Sequence, residues 1–133
     1  MLLLIAINSK GQAGKKYFLE AMQKEDIGEY KAAMEAYTKC IEVEPIAEAY
    51  FNRGHVKYEL KNYIGAIEDI LTAIKLKPSV SAPGYSDIGL YKYALNEYQS
   101  SIEYCTKSIE LNPKQAEAYT NRAFSKRMLK LPF

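Results

Sequence analysis

Tryptophan is absent from this chain of 133 residues, histidine occurs once and cysteine twice. Each scarcity removes a class of explanation. Two cysteines, Cys40 and Cys105, are too few and too widely separated for a disulfide framework or a paired-cysteine metal site. They read as buried free thiols, which suits a reducing compartment. The lone histidine, His55, has no serine or cysteine placed beside it, so no nucleophile pair is visible and a solvent-facing or groove-lining role is expected. No Asn-x-Ser/Thr acceptor occurs, in keeping with an intracellular site.

An excess of charge of one sign is missing too. Eighteen Lys and Arg against sixteen Asp and Glu leave a net charge of +2, which gives no basis for a nucleic-acid tail or a polyanion surface. Long apolar runs are equally scarce. MLLLIAI at 1–7 falls far short of the roughly 20 residues that span a bilayer, so no integral membrane segment is expected. Its lysines come only after the run, whereas a secretory signal places a basic residue before it. The cytoplasm is the expected location, with export as the lesser alternative.

Catalytic and nucleotide-binding motifs are not to be found either. GlyGlnAlaGlyLysLys at 11–16 has two residues between its glycines where a phosphate loop needs four, and a second lysine where a Ser or Thr belongs. The adjacent carboxylates Glu25 and Asp26 would point about 100° apart on a helix and read as a solvated end. Lys126, Arg127 and Lys130 read as charges offsetting a helix dipole. No enzyme activity, metal or cofactor is expected.

What the chain does contain is repetition. AlaGluAlaTyr at 47–50 with Asn52, Arg53 and Lys57 returns 69 residues later as AlaGluAlaTyr at 116–119 with Asn121, Arg122 and Lys126. A blurred copy lies between them, with Tyr85, Gly89, Lys92 and Leu95 matching Tyr50, Gly54, Lys57 and Leu60 at an offset of 35. Pro45, Pro78 and Pro113, spaced 33 and 35 apart, each close an apolar pattern and should each end a helix. Behind them Tyr30, Ala33, Met34, Tyr37, Cys40 and Ile41 recur as Tyr63, Ala66, Ile67, Ile70, Ala73 and Ile74. Tyr98, Ser101, Ile102, Cys105, Ser108 and Ile109 are the third copy. Steps of three, one and three residues put each set on one helical stripe.

A second helix precedes each stripe. Tyr17, Tyr50, Tyr85 and Tyr119 open it, and a small residue follows one turn later at Ala21, Gly54, Gly89 and Ala123, where a neighbouring helix can come close. Short turns around Gly28, Lys61-Asn62 and Asn96 require the paired helices to run antiparallel. A period in this range means a stacked array. An array of this kind acts through an extended surface.

An early aromatic, a mid-helix Gly or Ala, a Tyr opening the second helix, Ala-Ile within it and a closing Pro together resemble the tetratricopeptide repeat. The resemblance implies an all-α, right-handed superhelix of three helix pairs plus a final helix. Its units are repeat 1 at 14–45, repeat 2 at 46–81, a degenerate repeat 3 at 82–115 and a lone first helix at 116–133 that can act as a cap. Residues 1–13 read as a remnant helix covering the first unit. In the third unit the first helix is expected to begin near Tyr85, because Pro83-Gly84 precede it. The stack should be loosest around Ser79 to Ser81.

The family implies a function as well as a fold: a non-catalytic scaffold that grips a peptide or helix of a partner in its concave groove. Residues two after each opening aromatic, Leu19, Asn52, Asp87 and Asn121, would point into that groove, and an Asn ladder can hold a peptide backbone. Phe51, His55, Tyr58, Leu90, Tyr93 and Phe124 would share the face, along with Phe18 and Met22. Glu48, Glu59, Asp87 and Glu117, against Lys15 and Arg127, give it an acidic bias that favours an apolar segment carrying Lys or Arg.

Family members that grip the acidic tails of heat-shock chaperones use Lys, Asn and Arg at places occupied here by Phe18, Met22, Asn52, Pro83 and Asp87. Only Asn52 fits, so such tails are not the expected partner. Three alternatives stay open. The chain could be a fragment or regulatory segment of a larger protein, or an exported or membrane-associated assembly factor. It could also self-associate through an open C-terminal end around Phe124, Met128 and Phe133.

Overall fold

The computed structural model describes the backbone from Leu2 and the side chains from Ser9 to Phe133. The described residues form seven α-helices and one short 3-10 turn, with no strand. Helices α1 (Leu2–Asp26) and α2 (Tyr30–Val43) make the first hairpin, and α3 (Ala47–Glu59) and α4 (Tyr63–Leu76) the second. The 3-10 turn Pro78–Val80 leads to the third hairpin, α5 (Ser81–Ala94) and α6 (Tyr98–Leu111), and α7 (Ala116–Met128) follows.

The turns that end α1, α3, α5 and α7 share one local design. Gly28, Lys61, Asn96 and Lys130 have φ of 76, 61, 61 and 56°, the left-handed conformation that ends a helix. The next residue then donates its N–H back across the last turn, from Glu29 to Lys24, Asn62 to Lys57, Glu97 to Lys92 and Leu131 to Lys126, at 2.8 to 2.9 Å. These bonds satisfy carbonyls that the helix end would leave orphaned. At the second turn the Asn62 side chain also caps α4 by accepting from the Gly65 N–H at 3.0 Å. Pro45, Pro78 and Pro113 stand just beyond α2, α4 and α6, where the chain cannot continue as helix.

Two boundaries differ from the sequence expectation. Helix α1 runs without a break from Leu2, so residues 2–13 prolong the first helix of repeat 1. Whether the MLLLIAI side chains cover that repeat lies outside the described residues. Helix α5 begins at Ser81, ahead of the expected Tyr85. Pro83 then lies in the first turn, where a missing N–H costs no helical bond. Gly84 is needed there because a Cβ would stand 2.8 Å from Ile74 Cδ1. The extra residue of this connection is taken up in the 3-10 turn, which Ser81 Oγ fastens by donating to the Pro78 carbonyl at 2.7 Å.

Packing follows the small-residue column. Ile70 of α4 fills the notch at Gly54 of α3, where a Cβ would meet Ile70 Cδ1 at 3.0 Å. At Gly89 of α5 an added methyl would overlap Cys105 Sγ. One apolar cluster joins α1, α2 and α3 around Ala21, Tyr37, Cys40 and Val56. A second joins α4 and α5 around Ile67, Ile70, Ile88 and Tyr91. Both cysteines are free and buried, and burial pushes the Cys105 thiol up to about 11.

Candidate functional site

The first helices of successive hairpins, α1, α3 and α5, converge on a cavity of about 340 Å³. Glu25 and Tyr30 form its near wall, His55, Tyr58 and Glu59 its middle, and Asp87, Leu90 and Tyr91 its far wall. At the centre His55 Nε2 and Asp87 Oδ2 are 2.8 Å apart, bridging adjacent repeats. The Phe51 ring meets the imidazole edge-on at a centroid distance of 4.8 Å, and Tyr58 stacks on Tyr91 at 4.8 Å. Rings and carboxylates therefore alternate across the groove.

Electrostatics favour the charged imidazole. Burial works against the His55 proton, but the hydrogen bond to Asp87 and the charges of Asp87, Glu25 and Glu59 outweigh it and raise the pKa. Burial is also the main reason the Tyr91 phenol is held well above its ordinary value. Glu25 belongs to this site instead of the solvated helix end expected from its sequence neighbour Asp26. It is half-buried and accepts a hydrogen bond from Tyr37 Oη at 2.7 Å.

The four expected ladder residues do not form a uniform row. Leu19 is exposed, Asn52 is half-buried beside Tyr37, and Asp87 is engaged by His55. Asn121 is only 9% exposed, and its Nδ2 donates to the Ser86 carbonyl at 3.2 Å. Its amide thus ties α7 to α5, which corrects the expectation that it would offer both donor and acceptor to a ligand. Small residues on the α5 face let the amide reach the backbone, a feature the matching Asn-Arg pairs do not reveal.

Other expected groove residues are dispersed. Tyr93 lies 6.2 Å from Phe124, centroid to centroid, linking α5 to α7 beyond the central cavity that Leu90 lines. Glu48 is drawn instead to Lys77 at the end of α4, and Glu117 to Gln115 at the start of α7. Tyr30 and Tyr91 were missed at the sequence level. Tyr30 belongs to a column read as scaffold and Tyr91 to none of the repeated columns, and a hairpin register placing α2's opening ring beside α3 would have found Tyr30.

The nearby cations are already paired. Lys24 reaches Glu29 at 2.7 Å and Lys92 reaches Glu97 at 2.6 Å, each across its own turn. Arg53 and Lys57 both bind Asp69, at 2.8 and 3.0 Å. Among the described residues no lysine or arginine lines the central cavity.

Models of the tetratricopeptide repeat match residues 17–46, 47–80 and 82–115, and the chain belongs to that family. The all-α superhelix expected from the sequence is the observed fold. The chain is 37% identical to DnaJ homolog subfamily C member 7 of Homo sapiens over 76 residues, which is 53% of this chain and 14% of that protein. It therefore corresponds to a small part of that relative's length. Among solved structures it resembles the first TPR of Spaghetti (RPAP3) bound to the HSP90 peptide SRMEEVD. That likeness has a TM-score of 0.82 and 23% identity, and covers 90% of this chain and 94% of the other. It also resembles the TPR2B domain of yeast Sti1 in a pHsp70 complex, with a TM-score of 0.79, 25% identity, and coverage of 88% and 98%.

Both structures were solved with heat-shock partners, so the expected exclusion of chaperone tails gains no support from these likenesses. Among the described residues no helix is long and apolar enough to cross a membrane.

Proposed function

We propose that this tetratricopeptide repeat protein is a non-catalytic scaffold whose α1/α3/α5 groove holds an extended partner peptide carrying Lys or Arg beside an apolar side chain. One observation carries the reading: Glu25, Glu59 and Asp87 surround an aromatic cavity that holds a single cationic group, His55. Three carboxylates against one imidazole, charged or neutral, leave the cavity negative, which steers a basic segment inward and repels an acidic one. Tyr58, Leu90 and Tyr91 supply the apolar floor, and Asn52 of the same helix as Tyr58 would bond the peptide backbone. Phe51 braces the imidazole, and Tyr93 with Phe124 extends the aromatic surface toward α7. Asn121 contributes indirectly, by holding α7 in place.

Fluorescence anisotropy with two labelled peptides tests this. One pairs Lys or Arg with Leu or Phe, and the other ends in the acidic sequence EEVD. The basic peptide should bind more tightly, weaken with added salt, and lose several-fold affinity when Glu59→Gln removes a charge. Preferential binding of the acidic peptide would sink the reading and restore a chaperone tail as the occupant.

A second reading makes this array one interaction segment of a larger protein, in keeping with the small part of the DnaJ homologue that it matches. The mass of the native gene product distinguishes the two.

A further inference from the structure

The central groove is equipped for more than charge alone. Its cavity of about 340 Å³ is lined from within the first three hairpins, with carboxylates on three different helices: Glu25 on α1, Glu59 on α3 and Asp87 on α5. Two of them are held by the fold through one oxygen only. The buried Tyr37 donates its phenol proton to Glu25 Oε2 at 2.7 Å, and His55 Nε2 meets Asp87 Oδ2 at 2.8 Å. Glu25 Oε1, Asp87 Oδ1 and both oxygens of Glu59 accept no hydrogen bond among the described residues. Pre-oriented acceptors therefore face the cavity from more than one wall.

The same cavity offers flat aromatic surface. Tyr58 stacks on Tyr91 with the ring planes 20° apart, and Tyr91 is only 2% exposed, so Tyr58 is the half-buried ring of the pair that meets a ligand. An ammonium is a compact, strongly hydrated point charge with three donors, and it gains little from a plane. A guanidinium is planar, weakly hydrated and carries five N–H groups in that plane, so its face can stack on a ring while its edges fork to carboxylates. Free acceptors on several walls beside a ring face match the second cation better than the first.

Repeat 2 already contains this combination within its own structure. Arg53 lies over the Tyr50 ring at 5.4 Å and grips Asp69 through Nε and Nη2, both at 2.8 Å. Lys57 reaches the same carboxylate with one contact at 3.0 Å. Lysines do meet rings elsewhere, Lys39 over Tyr17 and Lys107 over Tyr85 and Tyr104, but among the described residues no carboxylate forms an ion pair with either.

We infer that the basic side chain this cavity selects is arginine, its guanidinium stacked on Tyr58 and its edges forked to the free oxygens of Glu59 and Glu25. The inference rests on the groove reading above and narrows it. Tyr37 acts here as a positioning residue, since it reaches the ligand only through Glu25.

The test uses the full chain and four fluorescein-labelled peptides that differ at one position. Each places a Leu beside Arg, Lys, asymmetrically dimethylated Arg or citrulline in a Gly-Ser background, and anisotropy at fixed salt gives the affinities. The Arg peptide should bind about tenfold more tightly than the Lys peptide. Dimethylated Arg keeps its charge but loses a fork, and should fall at least about fivefold below Arg. Citrulline, planar and uncharged, should bind at background level. In Glu25→Gln, an isosteric change, the ratio of Arg to Lys affinity should shrink toward one.

Equal affinity for Arg and Lys, with both above an EEVD peptide, would overturn this inference while leaving the groove reading in place. Tighter binding of dimethylated Arg would overturn it too, because rings alone would then be selecting the cation. An Arg preference unchanged in Glu25→Gln would place the choice outside this carboxylate pair, with the same consequence. Binding of the EEVD peptide and of no basic peptide would remove the groove reading itself.

Discussion

The second and third hairpins share a backbone plan but hold together by different chemistry. Between α3, α4 and α5, Ile67, Ile70, Ile88 and Tyr91 form an apolar cluster, with Ile70 seated at Gly54, beside the Arg53–Asp69 and His55–Asp87 pairs. Between α5, α6 and α7 the buried positions include Ser86, Ser101, Ser108, Asn121 and Ser125 beside Ala118, with Cys105 at Gly89. Hydroxyls replace methyl groups there. Ser101 Oγ donates to the Gly89 carbonyl and Ser108 Oγ to the Ala82 carbonyl, both at 2.6 Å, and Ser125 Oγ bonds Ser101 Oγ at 2.7 Å. Apolar burial stabilises in proportion to area and tolerates small shifts, whereas a buried hydroxyl is an asset only while its partner stays in place. The Ser86 hydroxyl, buried without a partner among the described residues, shows how narrow that margin is.

Removing the apolar interlock should produce the largest loss. Ile70→Ala empties the Gly54 notch and cuts the second cluster, and about 3 to 4 kcal/mol of stability should disappear in denaturant unfolding. A loss below about 1 kcal/mol would mean that α3 and α4 close the gap. That result would remove the basis for calling this junction the firmer one.

The third hairpin should respond most strongly to added volume. Gly89→Ala places a methyl on Cys105 Sγ, and about 1 to 3 kcal/mol of strain should outweigh the roughly 1 kcal/mol that alanine gains as a helix former. Cys105→Ala in the same chain should recover most of the difference. If Gly89→Ala alone were stabilising, the close approach of α5 and α6 would not be what requires glycine at this position.

The repeats were legible in the sequence because their determinants are local. Pro45, Pro78 and Pro113 end helices by local sterics, and the aromatic and small-residue columns recur often enough to set the register. The start of α5 was less legible, since Pro83 reads as a helix breaker until its place in the first turn is known. In the groove, the resemblance to the repeat family implies one shared face for Phe51, His55, Tyr58, Asp87 and Leu90. It does not imply their pairing, because the His55–Asp87 contact depends on how far adjacent helices slide. Asn52 and Asn121 look identical in sequence, yet only Asn121 is buried, and its partner is a backbone carbonyl that no side-chain pattern reports.

A double-mutant cycle at Ser101 and Ser125 probes the hydroxyl contacts one by one. Ser101→Ala strips Ser125 of its partner inside the core and should cost about 1 to 3 kcal/mol. Adding Ser125→Ala should cost less than its single effect, because the orphaned hydroxyl is then gone. Strict additivity in thermal or denaturant melts would show that the two hydroxyls act independently, and the contrast with the apolar junction would lose its central contact.

The smallest effect belongs to the link between the two hairpins, the His55–Asp87 pair. Glu59 on α3, Glu25 on α1 and the phenols of Tyr30, Tyr58 and Tyr91 also face this imidazole. Its pKa is raised above the unfolded value of 6.5, so the stabilisation is fully present below about pH 6.5 and is lost as pH rises through the folded value. The side chain is 39% exposed, which limits the change to under about 1 kcal/mol. His55→Gln should flatten this part of the stability profile. Binding should move the opposite way, because losing the imidazolium leaves Asp87, Glu25 and Glu59 uncompensated, so a basic peptide should bind more tightly as pH rises through the same interval. If affinity and stability instead fell together, the proton on His55 would serve the ligand as well as the fold, and the groove could not be read as a site for cations.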